Sequence, residues 1–123
     1  MRVAPKSKIL EFIEAPAFSR FREDYLTDDG LRGLQLSLAA NPLVGDLIPG
    51  AGGVRKLRWR DARRKKGKRG GLRVIYYCFL DDDQIWLLTL YDKDEAADLS
   101  KEEKDRLKLA LEEERAARKG KKA

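Results

Sequence analysis

Apolar and polar positions alternate with two different periods along this chain, and the switches between them mark its elements. Ile9–Glu14 (ILEFIE) is a short apolar run of strand character. Pro16 then suits the first turn of a helix, where its missing N–H costs nothing. Phe18, Phe21 and Tyr25 recur at helical spacing, with Arg20, Arg22, Glu23 and Asp24 between them. Asp28 is the expected cap of a second helix, whose stripe is Leu31, Leu34 and Leu38 and which stops at Asn41-Pro42. The short link between the two predicts an antiparallel helical hairpin.

After the glycine-rich loop 45–53 (GDLIPGAGG) the period becomes two. In Val54–Arg60 (VRKLRWR), Leu57 and Trp59 point one way while Lys56, Arg58 and Arg60 point the other. Leu72–Leu80 (LRVIYYCFL) is nearly all apolar, as a central strand would be. Asp81–Asp83 turns the chain into Gln84–Tyr91 (QIWLLTLY), which predicts an antiparallel hairpin with Trp86, Leu88 and Leu90 on one face. Ser100 and Glu103 form a capping box that opens a last helix, with Leu107, Ala110 and Leu111 inward. The fold class predicted is α+β: an N-terminal helical hairpin packed on a small antiparallel sheet, with a C-terminal helix. That packing leaves one sheet face open to carry the basic residues. The expected organisation is a flexible basic segment 1–8, one domain over 9–118, and a disordered basic tail over 119–123 (ARKGKKA frays).

Charge sharpens this picture. The net charge is +6, but segment 55–73 holds eleven Lys/Arg against Asp61 alone, a local +10, so the rest of the chain sums to −4. Such a concentration between two strands fits a polyanion, nucleic acid first. A solvated charged loop is the plainer alternative. There is no histidine, and Cys78 is the single cysteine. The commonest general base and the commonest metal ligand are therefore missing, and neither a metal nor a cofactor is expected. No apolar run is long enough to span a bilayer, and no secretory signal is expected at the N-terminus, so a cytoplasmic protein is expected.

Lys56 and Arg58 share one strand face, and Arg73 opens the next strand, within reach across the pair. Three fixed cations would clamp a phosphodiester and stabilise extra charge in a transition state. Crowding them together would depress the lysine pKa and let Lys56 serve as a base. Phosphate binding without chemistry is the alternative. Arg60, Arg63, Arg64, Lys65, Lys66, Lys68 and Arg69 read as a cationic grip on RNA or the ribosome. Trp59, Tyr76, Tyr77 and Trp86 read as core, while Tyr91 ends its strand where a hydroxyl would meet a bound phosphate. GAGG lacks a following GK[ST] and is no nucleotide loop. Asp92, Asp94, Glu95 and Asp98 precede a helix, and an end-of-helix charge role is expected of them rather than a metal cluster.

The succession GDLIPGAGGVRKLRW, KGKRGGLRVIYY and LLTLYDKDEAADL, behind a helical hairpin, resembles the HigB branch of the RelE/ParE toxin superfamily. The likeness runs from about Ile9 to Leu111, and GGVRKLR, GKRGGLRVIYY and YDKDE are its most specific pieces. It implies the toxin of a bacterial type II toxin–antitoxin pair, a ribosome-dependent endoribonuclease. Such an enzyme cuts messenger RNA by metal-free attack of the ribose 2′-hydroxyl. On that resemblance the catalytic set would be Lys56 and Arg58, the phosphate-clamping Arg73, and Tyr91 with Lys93 near the end of the last strand. The RelE branch carries an arginine just past this point, where this chain has Asp94; histidine-bearing relatives use a histidine that this chain lacks. The implied partners are a helix-turn-helix HigA-like antitoxin, the ribosome and mRNA, with no membrane. Two other readings stay open: a ParE-like gyrase-inhibiting toxin, and a non-enzymatic RNA- or ribosome-binding module.

Overall fold

A computed structural model describes residues 10–60, 71–94 and 98–122. Among these the chain forms, in order, β1 (Glu11–Glu14), α1 (Pro16–Tyr25), α2 (Asp28–Ala40), β2 (Asp46–Leu47), β3 (Arg55–Trp59), β4 (Leu72–Phe79), β5 (Gln84–Asp92) and α3 (Lys101–Lys122). The class is α+β, with two N-terminal helices, a mostly antiparallel sheet of order β1-β5-β4-β3-β2, and a C-terminal helix.

Local chemistry sets the boundaries. Pro16 begins α1. The cap of α2 is Thr27 and not Asp28, because the Thr27 hydroxyl accepts the Gly30 N–H at 3.0 Å while Asp28 already lies inside the first turn. Asn41 ends α2 just before Pro42. The capping box of α3 closes reciprocally: Glu103 N donates to Ser100 Oγ at 3.1 Å, and Ser100 N donates to Glu103 Oε1 at 2.8 Å. α3 continues past the boundary expected at 118 and ends at Lys122, since its Arg, Lys and Ala residues are good helix formers.

The sheet departs from expectation in three ways. First, β1 runs parallel to β5, as α1 and α2 carry the chain from that edge to the opposite one, where β2 pairs with β3. Second, the loop 45–53 contains the short edge strand β2, after which Gly52 and Gly53 turn with φ of 71° and 103°, open to glycine at little cost.

Third, both faces carry core. Phe18, Leu26, Leu34 and Leu38 of the helical layer pack with Leu72, Val74 and Tyr76 on one side. On the other, Leu111 of α3 joins Ile48, Val54, Ile75, Phe79 and Leu88. The face expected to stay open is thus covered over much of its length by α3 and the 48–54 loop. Arg118 pins the far end of α3. Its guanidinium carbon sits 3.8 Å from the Phe79 ring centroid, and it donates to Asp82 and Gln84 at 2.7 Å each.

A bulge decides which residues meet there. Ile75 is opposite Thr89 but Tyr76 is opposite Leu87, so Leu88 is an extra residue in β5. Ile85, Leu87 and Leu90 consequently face the N-terminal helices, while Trp86, Leu88 and Tyr91 face α3. The expected single face of Trp86, Leu88 and Leu90 is broken at this point. Simple alternation would have turned Tyr91 to the side of Leu87.

Candidate functional site

Where α3 leaves the sheet face, the cationic strand residues line an open pocket of about 530 Å³, Arg58 exposed and Lys56 half-buried. One row of Cα partners crosses three strands: Arg58 of β3 faces Arg73 of β4, and Arg73 faces Tyr91 of β5. Lys56 lies two residues along β3 on the same face, opposite Ile75. Neighbouring strands are spaced about 4.8 Å apart, so the row places its side chains within the reach of one phosphodiester. Lys93, just past β5, completes the rim, its N–H held by the Gly71 carbonyl at 2.9 Å. The expected set Lys56, Arg58, Arg73, Tyr91 and Lys93 therefore lines one pocket. Arg73 is half-buried and donates through Nη1 to the Leu72 carbonyl at 3.2 Å, which ties its guanidinium to the backbone of β4.

The rest of the wall was not foreseen. β2 and the residues after it, Asp46–Pro49, form one side. Leu99 and Lys104, from the start of α3 and the residues before it, form the other together with Asp98. Asp98 does not act as an end-of-helix charge: Oδ1 accepts the Tyr91 hydroxyl at 2.7 Å and the Lys56 ammonium at 3.4 Å. The first-turn acids of α3 are Glu102 and Glu103 instead. Burial and the hydrogen bond to Asp98 push the Tyr91 hydroxyl above the usual tyrosine range, so it stays protonated. The same bond, with the Lys56 ammonium beside it, holds the Asp98 carboxyl below the usual carboxylate range. The pocket thus carries a fixed carboxylate among cations. Asp92, expected alongside it, is buried and accepts the Asp94 N–H at 2.7 Å.

Other expected residues lie elsewhere. Arg60 is exposed just past β3 and does not line the pocket. Arg63, Arg64, Lys65, Lys66, Lys68, Arg69 and Glu95 fall outside the described residues. Trp59 packs with the N-terminal helices, and Trp86 lies on the α3 side. Tyr76 is fully buried; its hydroxyl donates to the Pro42 carbonyl at 2.9 Å and accepts the Gly45 N–H at 2.8 Å. Arg55, one of the basic run, is structural: Nη1 donates to the Gly45 and Leu43 carbonyls at 2.7 and 3.1 Å. These bonds brace the chain leading into β2, and with it that wall of the pocket.

Among the described residues no group of His, Cys, Asp and Glu is arranged to hold a metal ion. None of the described helices is long and apolar enough to cross a membrane. No known family model matches the chain.

Proposed function

We propose that this chain is the toxin of a bacterial type II toxin–antitoxin pair, an endoribonuclease that cuts messenger RNA on the ribosome. The observation that carries the reading is the row Arg58–Arg73–Tyr91 across three rigid strands, with Lys56 and Lys93 beside it in one open pocket. A phosphodiester seated on Arg58 and Arg73 meets planar donors suited to its oxygens. When a ribose 2′-oxygen attacks the phosphorus, negative charge grows on the non-bridging oxygens, where those guanidiniums stand ready. The bond to the 5′-oxygen then breaks, leaving a 2′,3′-cyclic phosphate and a 5′-hydroxyl. Lys93, which lines the same pocket, would protonate that leaving oxygen. Guanidinium charge takes the part a divalent ion would play, so no cofactor enters the scheme.

The ribosome would hold the message in place, and the basic segment 60–69 would grip ribosomal or messenger phosphates. A helix-turn-helix antitoxin would cover the same basic surface with acidic groups, in the bacterial cytoplasm.

The test is primer extension on a message translated in a purified system, with and without the protein. New 5′ ends within the reading frame are expected. Intact message, combined with loss of gyrase supercoiling activity, would place the chain with the gyrase-poisoning toxins. Ribosome binding without either effect would leave a binding module.

A further inference from the structure

The pocket contains a carboxylate that phosphate binding alone does not call for. Asp98 sits among Lys56, Arg73 and Tyr91, where a simple anion site would carry no negative charge. Both of its contacts are to Oδ1, and the side chain is 72% exposed, so Oδ2 is open to an incoming group. One oxygen is clamped and the other is presented. Cleavage by a 2′-hydroxyl requires a base, and the chain has no histidine to supply one. An ordinary lysine would first have to lose a proton, whereas a carboxylate is already in its basic form at neutral pH.

Resting on the ribonuclease reading above, we propose that Asp98 is the general base of the cleavage, held in place by Tyr91 and Lys56. The 2′-hydroxyl proton passes to Asp98 Oδ2 as the O2′–P bond forms. The P–O5′ bond breaks, and its electron pair takes a proton from the Lys93 ammonium. Asp98 then returns its proton to solvent and Lys93 regains one, so no co-reactant is consumed. Lys56 and Tyr91 are positioning residues for this step, while Arg58 and Arg73 bear the phosphoryl charge.

The groups facing Asp98 are Lys56 from β3, Arg73 from β4 and Tyr91 from β5, with Glu103 of α3 acting on Tyr91. With three of these four cationic or hydrogen-bond donating, the carboxylate remains ionised throughout the working range. The cleavage rate should therefore be flat between about pH 6 and 8.5, whereas a lysine base would give a rise of about tenfold per pH unit.

The experiment is single-turnover cleavage on programmed ribosomes by wild type, Asp98→Asn, Asp98→Glu and, as a charge control on α3, Asp105→Asn. Asp98→Asn should slow cleavage by about 100- to 10,000-fold, the usual worth of a general base, without weakening RNA binding, since it removes an anion. Asp98→Glu should recover part of the rate, and Asp105→Asn should match wild type. Equal melting temperatures would show that the exposed substitution leaves the fold intact. An Asp98→Asn protein cutting within about fivefold of wild type, or a wild-type rate that climbs with pH as a lysine base demands, would overturn the assignment of Asp98 alone. A wild-type protein that cuts nothing would overturn the ribonuclease reading and this assignment with it.

Discussion

Removing the hydroxyl of Tyr76 should cost far more than its single atom suggests. The ring is fully buried, so Tyr76→Phe preserves packing and opens almost no cavity. What it removes is a two-way bridge from β4 to the chain entering β2. The Pro42 carbonyl keeps a partner, because Cys78 Sγ also donates to it at 3.2 Å. The Gly45 N–H has no such second acceptor among the bonds observed at that turn, and Gly45 is buried. A buried donor left without its partner costs about 1–3 kcal/mol, so a loss near 2 kcal/mol is expected. For a domain of this size that is a fall of roughly 8 °C in Tm. Tyr77→Phe is the comparison: its hydroxyl accepts from Arg115 Nη1 at 2.8 Å, but the residue is only half-buried, so less than about 1 kcal/mol should be lost. Urea unfolding of both variants, read with a common m-value, makes the measurement. Amide exchange at Gly45 should also accelerate in Tyr76→Phe. A Tyr76→Phe protein within about 0.5 kcal/mol of wild type, or no weaker than Tyr77→Phe, would refute the reasoning.

Three further outcomes follow from the same residues. Burial pushes the Cys78 thiol up to about 11 from its usual 9.0, so iodoacetamide at pH 8 should modify the native protein about 100-fold more slowly than the unfolded one; equal rates would count against it. RNA cleavage should continue in excess EDTA once ribosome integrity is controlled, because Arg58 and Arg73 supply the positive charge; activity lost and restored by a divalent ion would contradict the scheme. Replacing Arg63, Arg64, Lys65 and Lys66 with Ser should flatten the salt dependence of ribosome binding by about two units of log affinity against log salt, and cleavage at saturation should be better preserved than affinity. An unchanged slope would make that run a solvated charge cluster.

Strongly periodic segments announced themselves. The alternation of Leu57 and Trp59 with Lys56 and Arg58 fixed a half-buried strand, and the apolar run 72–79 fixed a central one. Because both follow from side-chain geometry within a few residues, the cationic row could be anticipated before any contact was known. What stayed hidden depends on residues far apart in the chain. Asp98 meets Lys56 across 42 positions, and a local rule about charges at helix ends sent it to the wrong role. A strand apolar on both sides does not say what covers each face, so α3 lying over Phe79 and Ile75 left no trace beyond Leu107 and Leu111. The bulge at Leu88 was equally silent: nothing in QIWLLTLY marks the extra residue, yet it turns Tyr91 toward Arg73. Thr27 took the cap from Asp28 because caps compete within one residue of each other.

The central claim is that this pocket breaks RNA by gripping the scissile phosphate on Arg73. The most direct measurement is the single-turnover rate of message cleavage on saturating ribosomes by wild type and Arg73→Ala, with melting curves run on both. Wild type should cut within the reading frame, and Arg73→Ala should be slower by about 100- to 1000-fold while unfolding at a similar temperature, the penalty for losing one preorganised contact to the developing charge. A folded Arg73→Ala protein that cuts as fast as wild type would contradict the account.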